Sequence, residues 1–244
     1  MHSLSAQQIL QIWEVGQGQH PIDRALTLLT FAYPDRTIND LAHLSIGQRD
    51  ESLLDLRTLT LGSRLNGFAT CPNCGEKLEF QVQAADLKLG DSTKPPEPEY
   101  RLTVAAFELR FRVPNSLDLA AIVSDRAIAD AKLLQRCLLA ATENGLAVSY
   151  DALPCEVVNQ LAEQVLECDP QAELLLNLSC PACQHEWQAL FDILHFFWTE
   201  LTVQARRLLG EVHLLARSYG WREADILAMS AVRRQQYLDR VTDG

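Results

Sequence analysis

The sequence contains two copies of one cysteine pattern, Cys71-Pro72-Asn73-Cys74-Gly75 and Cys180-Pro181-Ala182-Cys183-Gln184. A Cys-x-x-Cys turn directs two thiolates to one place, and two such turns supply the four sulfurs of a tetrahedral Zn²⁺ site. Four protein ligands leave no open coordination position, so a bound zinc ion would be structural rather than catalytic. The pattern therefore predicts a structural zinc site with Cys71, Cys74, Cys180 and Cys183 as its ligands.

Two other interpretations of these cysteines stay open at this point: a redox dithiol and unrelated free thiols. A redox Cys-x-x-Cys usually precedes a helix, whose dipole lowers the pKa of one thiol. Here strand-like sequence follows the first copy at 77–83 and precedes the second at 174–178, which favours the metal site. Gly75 suits a left-handed backbone position, whereas Gln184 at the equivalent place predicts a slightly strained turn.

The two copies are far apart in the chain, with 105 residues between Cys74 and Cys180. Closing a loop of that length costs about 4 kcal/mol of chain entropy, whereas a structural zinc ion binds with roughly 10–16 kcal/mol. The metal can therefore clip two distant parts of the chain together and leave the intervening segment as an insertion.

Capping residues and apolar periodicity predict helices over most of the remaining chain. Predicted helix starts are Ser5, Pro21, Thr37, Ser45, Asn115 or Ser116, Leu153-Pro154, Ile193, Glu223 and Ser230. The stretch that starts at Asn115 or Ser116 is predicted to stay helical until Asn144-Gly145. Period-2 alternation predicts strands at 78–82 and 100–113, and a Pro-rich, charged linker lies at 91–99.

These elements predict an α+β, mainly helical fold, in which a four-Cys zinc ribbon is split by a long inserted α/β segment and flanked by helical N- and C-terminal arms. The predicted parts are a helical N-terminal arm (1–66), a split zinc ribbon (67–85 plus 172–192), an inserted strand–helix segment (86–171), and a long helix with a helical tail (193–244). Cys137, Cys155 and Cys168 lie in apolar helical patterns and are predicted to be buried small hydrophobes.

Composition and charge narrow the class of protein. The chain has 48% hydrophobic residues and a net charge of −11, which argues against a function that depends on broad contact with nucleic-acid phosphates. No apolar run approaches the roughly 18 residues of a membrane span, and the N-terminus lacks the pattern of a secretory signal. The expected location is therefore the cytoplasm.

The sequence lacks the short motifs of common enzyme classes. There is no phosphate-binding glycine loop, and His185-Glu186 lacks the second histidine of a zinc-peptidase helix. The six histidines are scattered, and none forms a recognisable pair with an acid or a nucleophile. We therefore expect a non-enzymatic protein, although a catalytic site assembled from distant residues stays open.

Aromatic and basic residues in the last quarter of the chain indicate a surface for a protein partner, because aromatic and arginine side chains dominate contact energy. Residues 199–244 carry a net charge of +1, against −12 for the first 198 residues. Packing of the same residues within their own domain is the alternative. The candidate partner-binding residues are Phe197, Trp198, Tyr219, Trp221, Ile226, Leu227, Arg233, Arg234 and Tyr237.

The tail resembles the C-terminal segment of T4-type baseplate-hub assembly proteins, which occur in contractile phage tails and in phage-tail-like contractile injection systems. The shared pattern is an aromatic-Gly-Trp break at 219–221, a short acidic helix that ends in Ile226-Leu227, and a twin-arginine helix that ends in Tyr237-Leu238. A larger frame resembles the zinc-knuckle baseplate proteins of injection systems. It consists of Arg24-Ala25-Leu26, Gly47-Gln48-Arg49-Asp50, the two cysteine motifs, Asp169-Pro170 and Phe196-Phe197-Trp198.

The resemblance implies a non-enzymatic structural or assembly component of a baseplate or hub, with the hub and spike proteins of the same particle as partners. Such a protein would be made in the cytoplasm and could be incorporated into the assembled particle. A zinc-ribbon adaptor in transcription or RNA handling is the alternative, but it needs a basic or aromatic nucleic-acid face that the sequence does not display.

Overall fold

Polar side chains start the N-terminal helices in the way that the sequence predicts. The Ser5 Oγ accepts the Gln8 backbone N–H (3.2 Å), and the Gln8 side chain accepts the Ser5 N–H (2.9 Å). Ser45 and Gln48 repeat this reciprocal capping.

The computed structural model describes residues 1–89, 97–123 and 129–242. Its α-helices are α1 (Ala6–Gly16), α2 (Pro21–Ala32), α3 (Ile38–Ala42), α4 (Ile46–Leu61), α5 (Ser116–Ile122), α6 (Ala129–Cys137), α7 (Cys155–Cys168), α8 (Ile193–Tyr219), α9 (Glu223–Leu227) and α10 (Ala231–Thr242).

The strands form three small antiparallel sheets within the described residues. Two of the sheets are isolated hairpins, β1 with β2 and β7 with β8, and the third has the order β3-β4-β5-β6. The strands are β1 (Arg64–Thr70), β2 (Lys77–Gln83), β3 (Tyr100–Val104), β4 (Phe107–Phe111), β5 (Leu138–Glu143), β6 (Leu146–Ala147), β7 (Leu175–Ser179) and β8 (Glu186–Leu190). Helices and small sheets together confirm the predicted α+β, mainly helical fold.

The largest apolar core joins the N-terminal helices to the first half of α8. Leu28, Leu53 and Phe197 are fully buried in it, and Leu65 of β1 and Leu174 before β7 reach it from the two hairpins. A separate core fills the inserted segment, where β3, β4 and β5 pack against Val157, Leu161 and Val165 of α7. The two hairpins thus emerge from the same core, which places their tips near each other.

One tight contact joins the start of α4 to the turn after α7. The Gly47 N–H donates to the carboxylate of Asp169 (2.9 Å), although 122 positions separate the two residues. Any Cβ at Gly47 would collide with that carboxylate. Burial raises the pKa of Asp169, and the hydrogen bond from Gly47 opposes that effect. Gly47 and Asp169 therefore fix one end of the inserted segment on the N-terminal helices.

A second tight contact joins α1, α2 and α8. The Arg24 guanidinium lies 4.6 Å from the centre of the Trp198 ring, and its Nε donates to the Gly16 carbonyl (2.7 Å). The indole of Trp198 packs on Gly16 so closely that a Cβ there would overlap the ring. Four residues of the frame that resembles injection-system baseplate proteins therefore form two contacts between distant parts of the sequence. Arg24 contacts Trp198, and Gly47 contacts Asp169.

Replacing Gly47 with alanine is expected to lower the free energy of unfolding by about 1–3 kcal/mol, because the added methyl group overpacks a closed contact. Thermal unfolding followed by circular dichroism measures the effect. Gly18→Ala is the matched control, since a Cβ at Gly18 would meet no neighbouring atom. Equal melting temperatures for the two variants would contradict the assigned role of the Gly47–Asp169 contact.

Two predicted boundaries were wrong. Residues 64–66, assigned to the helical arm, belong to β1 and pair with β2. The stretch predicted to be helical until Asn144-Gly145 contains two helices, of which α5 ends at Ile122 and α6 ends at Cys137, and the residues after Cys137 form strands β5 and β6. Asn144 and Gly145 take positive φ values of 48° and 83°, as the tight turn of a hairpin requires. An Asn-Gly pair between apolar stretches is itself a hairpin signal.

The other predicted helices and strands that lie within the described residues occur at the predicted positions. Most of the predicted 91–99 linker and position 128 of the predicted helix lie outside the described residues. Among the helices of the described residues, none combines the length and the apolarity that crossing a membrane requires.

Candidate metal centre

The two cysteine motifs form equivalent turns at the tips of the two hairpins. In the first turn, the Cys71 N–H donates to the Glu76 carbonyl (2.8 Å) and the Gly75 N–H donates to the Cys71 carbonyl (2.9 Å). The second turn repeats both bonds at 2.9 Å, from Cys180 to His185 and from Gln184 to Cys180. Each turn therefore directs its two thiols to the same side of its hairpin.

The residue after each second cysteine has a left-handed backbone, as predicted. Gly75 has φ 75° and Gln184 has φ 60°. A side chain with a Cβ is disfavoured in this region, which glycine occupies without a steric penalty. The second turn is thus the more strained of the two.

The four sulfurs converge although they come from opposite ends of the inserted segment. The Cys71 Sγ lies 3.7 Å from the Cys183 Sγ, and the Cys74 Sγ lies 3.6 Å from the Cys180 Sγ. All four sulfurs lie within 4.8 Å of one another. A tetrahedron with metal–sulfur bonds of about 2.3 Å has edges of about 3.8 Å. The cluster therefore has the size that a tetrahedral metal ion requires.

The cluster lies at the edge of a small apolar patch. Cys71 and Cys180 are 1% exposed and pack with Leu78 and, at the margin, Trp187. Cys74 is exposed, and Cys183 is half-buried. An ion there would have two sulfurs on the protein side and two toward solvent. Because the apolar patch is small, apolar contacts alone hold the two hairpins together only weakly, and a metal ion that joined the four sulfurs would add much of the stability.

Hydrogen bonds within the cluster move the pKa values of two thiols in opposite directions. A hydrogen bond from the Asn73 side chain (3.5 Å), and then the backbone of His185, lower the pKa of Cys183 to about 6. At Cys74 the backbone of Glu76 lowers the pKa, but the thiol of Cys183 and desolvation outweigh it and raise the pKa to about 12. Asn73 is a contributor that spacing alone did not identify, although it lies inside the first motif.

A buried arginine fixes the base of the first hairpin to α8. The Arg57 guanidinium forms two bonds with the Glu200 carboxylate, at 2.6 and 2.8 Å. It also donates to the carbonyls of Gly62 (2.6 Å) and Arg64 (2.8 Å), where the chain enters β1. Since β8 runs directly into α8, Arg57 indirectly holds the two cysteine turns in register. No local sequence pattern indicated this role.

Four of the predicted partner-binding residues are covered by the chain itself. Phe197 and Ile226 are 0% exposed, and Leu227 and Arg234 are also buried. Arg234 donates to the Glu211 carboxylate (2.8 Å) and to the Met229 carbonyl (2.6 Å), which attaches α10 to α8. These four side chains therefore follow the alternative that the sequence left open, packing within their own chain, because the tail folds back on α8.

Four others of the predicted residues form a cluster at the surface. The Tyr219 and Trp221 rings stack with centroids 4.5 Å apart, and Tyr237 meets Trp221 edge-on at 4.8 Å. The Arg233 guanidinium lies 5.9 Å from the Tyr237 ring centre. Tyr219 and Arg233 are exposed, and the other two are half-buried. Trp198, the ninth residue, is half-buried beneath Arg24. Contact of the surface cluster with a partner stays a prediction.

The cysteines outside the two motifs differ from one another. Cys137 is buried, as predicted, and burial raises the pKa of its thiol to about 11. Cys155 is exposed and Cys168 is half-buried, so the prediction of burial was wrong for Cys155 and only partly right for Cys168. Cys155 is the first residue of α7 and lies away from the buried stripe of that helix.

Comparison with known proteins assigns the chain to a family. A family model described as T4 bacteriophage base plate protein matches residues 16–198, about three quarters of the chain. No curated protein and no solved structure matches the chain. The matched region begins at Gly16 and ends at Trp198, which contact each other, and it includes all four clustered cysteines. The chain therefore belongs to the T4 bacteriophage base plate protein family.

Proposed function

We propose that this protein is a non-enzymatic structural or assembly component of the baseplate hub of a contractile, phage-tail-like injection system, stabilised by a structural zinc ion. The observation that carries the proposal is the convergence of four sulfurs inside a region that matches a baseplate family. A baseplate subunit needs a rigid shape that presents the same surfaces in every particle. A metal that joins two distant parts of the chain provides that rigidity.

Zinc is the metal that this donor set favours. Four cysteine thiolates bind Zn²⁺ in a tetrahedral arrangement, and with all four positions filled no site remains for water or a substrate. Cys71, Cys74, Cys180 and Cys183 would hold the ion, which would supply a crosslink and no catalytic chemistry. Binding of roughly 10–16 kcal/mol outweighs the closure cost of about 4 kcal/mol for the intervening loop. The four-part division of the chain around this crosslink, with residues 64–66 moved from the N-terminal arm to the ribbon, belongs to the same proposal.

The partners we propose are the hub and spike proteins of the same particle, contacted through Tyr219, Trp221, Arg233 and Tyr237. Stacked aromatic rings with an adjacent arginine are typical of the central residues of protein interfaces. Their partial exposure supports this role. The net charge of −11 disfavours the alternative of a nucleic-acid adaptor, because phosphate contact requires a basic face. The protein would be made in the cytoplasm and act during or after particle assembly.

Deleting the gene for this chain in its own host is expected to abolish complete contractile particles, since a hub without one component does not support sheath and tube assembly. Electron microscopy of purified particles, with mass spectrometry of the baseplate fraction, measures the outcome. Complementation with the unchanged gene should restore the particles, and Trp221→Ala should restore them poorly. Leu146→Ala, which changes an exposed apolar residue on another face, is the matched control. Normal particle numbers without the chain would contradict the proposal.

A further inference from the structure

The solvent face of α8 is basic, in contrast to the acidic chain as a whole. Arg206, His213 and Arg217 are exposed on this face. The two carboxylates of the helix are engaged elsewhere, since Glu200 pairs with Arg57 and Glu211 pairs with Arg234. The exposed face of α8 between 203 and 217 therefore carries no free acidic side chain. At 1.5 Å per residue it is about 21 Å long.

The solvent face of α7 has the opposite charge. Glu156, Glu163 and Glu167 are exposed, and the helix contains no lysine or arginine. Gln160 donates a hydrogen bond to Glu156, and Gln164 donates one to Glu167. Among the described residues, none of the three carboxylates has an ion-pair partner. The helix has 14 residues, so its face is also about 21 Å long.

The spacing of the charges is the same on the two helices. The acidic residues of α7 follow one another at intervals of seven and four positions, and the basic residues of α8 do the same. Positions i, i+7 and i+11 lie on one face of an α-helix. In both helices that face is opposite the buried stripe, which includes Val157 and Leu161 in α7 and Leu208 and Leu215 in α8. Two such helices placed side by side in parallel align two pairs of opposite charges, Arg206 with Glu156 and Arg217 with Glu167, and place His213 opposite Glu163.

Apolar side chains accompany both sets of charges. Val203 (59% exposed) and Leu214 (41%) flank the basic face, and Leu166 (45%) flanks the acidic face. Gly210 lies between Arg206 and His213 with no atom near its Cβ position, which leaves room for a neighbouring helix to approach closely. The two faces therefore offer apolar contact as well as charge complementarity.

We propose that copies of this chain associate head to tail, with the acidic face of α7 of one copy against the basic face of α8 of the next. The two helices belong to different apolar cores of the same chain, so each copy keeps one acidic and one basic face free. A contact between two different surfaces builds rings or filaments rather than a closed twofold dimer. The inference concerns self-association and is independent of the metal site and of the hub partners proposed above.

The first test is the mass of the purified chain in sedimentation equilibrium at about 0.01 M and about 1 M salt, where the screening length falls from roughly 30 to 3 Å. At low salt we expect the mean mass to rise with protein concentration beyond twice the 27.3 kDa of one chain. At high salt it should return toward 27.3 kDa. A chain that stays at the mass of one copy under both conditions overturns the proposal and leaves these faces to another protein.

The second test reverses the charges on one face at a time. The double variant Arg206→Glu with Arg217→Glu and the double variant Glu156→Arg with Glu167→Arg should each associate at least about tenfold more weakly than the unchanged chain, because like charges then meet. An equal mixture of the two double variants should regain the lost association, because each supplies the face that the other needs. Failure of the mixture to associate overturns the proposal.

The third test checks the register and the specificity. In the parallel register Arg217 faces Glu167, so a chain that carries both Arg217→Glu and Glu167→Arg should associate better than a chain that carries both Arg217→Glu and Glu156→Arg. Arg101→Glu and Glu14→Arg change exposed residues on other elements by the same amount of charge as each single substitution on the two faces, and they are expected to leave the association of the chain intact. Circular dichroism melting verifies that each variant is folded. Equal weakening by these control variants would show a net-charge effect and overturn the proposal.

Discussion

Replacing Cys71 or Cys180 with serine is expected to release the metal and to lower the melting temperature by roughly 8–16 °C. The metal crosslinks parts of the chain with 105 residues between Cys74 and Cys180, and a crosslink over a loop of that length stabilises the fold by about 4 kcal/mol, because it removes that much conformational entropy from the unfolded chain. For a domain of this size 1 kcal/mol corresponds to about 2–4 °C. Both cysteines are 1% exposed, so the serine hydroxyl also replaces a sulfur that packs against apolar atoms.

Metal content and melting together separate the loss of the metal from the loss of packing. The unchanged chain should contain one zinc ion per molecule by elemental analysis, and a strong chelator should lower its melting temperature toward that of the variants. The variants should contain little zinc and respond little to the chelator. Cys155→Ser, at an exposed cysteine outside the cluster, should change neither quantity. A Cys71→Ser chain that melts like the unchanged protein would contradict the metal site.

The parts of the fold that sequence predicts well are those encoded over a few neighbouring residues. The Ser5 and Ser45 caps each need a partner three residues away, and both form as expected. A Cys-x-x-Cys turn also needs only its own residues. The convergence of the two turns was predictable because the chemistry of four thiolates, and not the intervening sequence, dictates it.

The parts that the sequence did not reveal depend on contacts between distant residues. Nothing near Gly47 indicates that a carboxylate 122 positions away occupies the space of its missing side chain. The burial of Ile226 and Leu227 depends on how the tail folds back on α8, since a short amphipathic helix has the same pattern whether it covers its own domain or a partner. The strand at 138–143 lacks period-2 alternation because its apolar residues are nearly continuous, so helix and strand could not be distinguished.

Replacing Asp118 with asparagine is expected to lower the free energy of unfolding by about 2 kcal/mol, within the range for losing hydrogen bonds to a charged group, because the partner side chains Arg112 and Arg136 are partly exposed to solvent. The Asp118 carboxylate is 1% exposed and accepts two bonds from Arg112, at 2.6 and 2.9 Å, and one from Arg136, at 3.1 Å. It also caps α5 by accepting the Asn115 N–H (3.1 Å). An amide of the same shape retains part of the cap but leaves two arginines without their counter-charge.

The position of Asp118 explains why this loss affects more than one element. Asn115 forms a bridge with Ser45, and the Ile46 N–H donates to the Pro114 carbonyl (3.1 Å), so this corner joins the inserted segment to the start of α4. Arg112 follows β4, and Arg136 lies at the end of α6. Removing the carboxylate therefore loosens the inserted segment at its junction with the core. The expected decrease in melting temperature is roughly 4–8 °C at about 2–4 °C per kcal/mol.

The pH dependence of the melting temperature tests whether the negative charge of Asp118 causes the stabilisation. Burial alone would raise the pKa of Asp118, but the hydrogen bonds from Arg112 and Asn115 outweigh it and lower that pKa below its usual range. An acid whose pKa is lower in the folded state contributes its full stability above the unfolded pKa, about 3.9, and loses it as the pH falls through the folded value. The difference in melting temperature between the unchanged chain and Asp118→Asn should therefore be constant from about pH 5 to 7 and shrink below about pH 4.

Asp35→Asn, at an exposed position in a turn, is the control and should melt like the unchanged chain at any pH. If the difference in melting temperature between the unchanged chain and Asp118→Asn did not decrease in acid, the shape of the Asp118 side chain, and not its charge, would stabilise this corner.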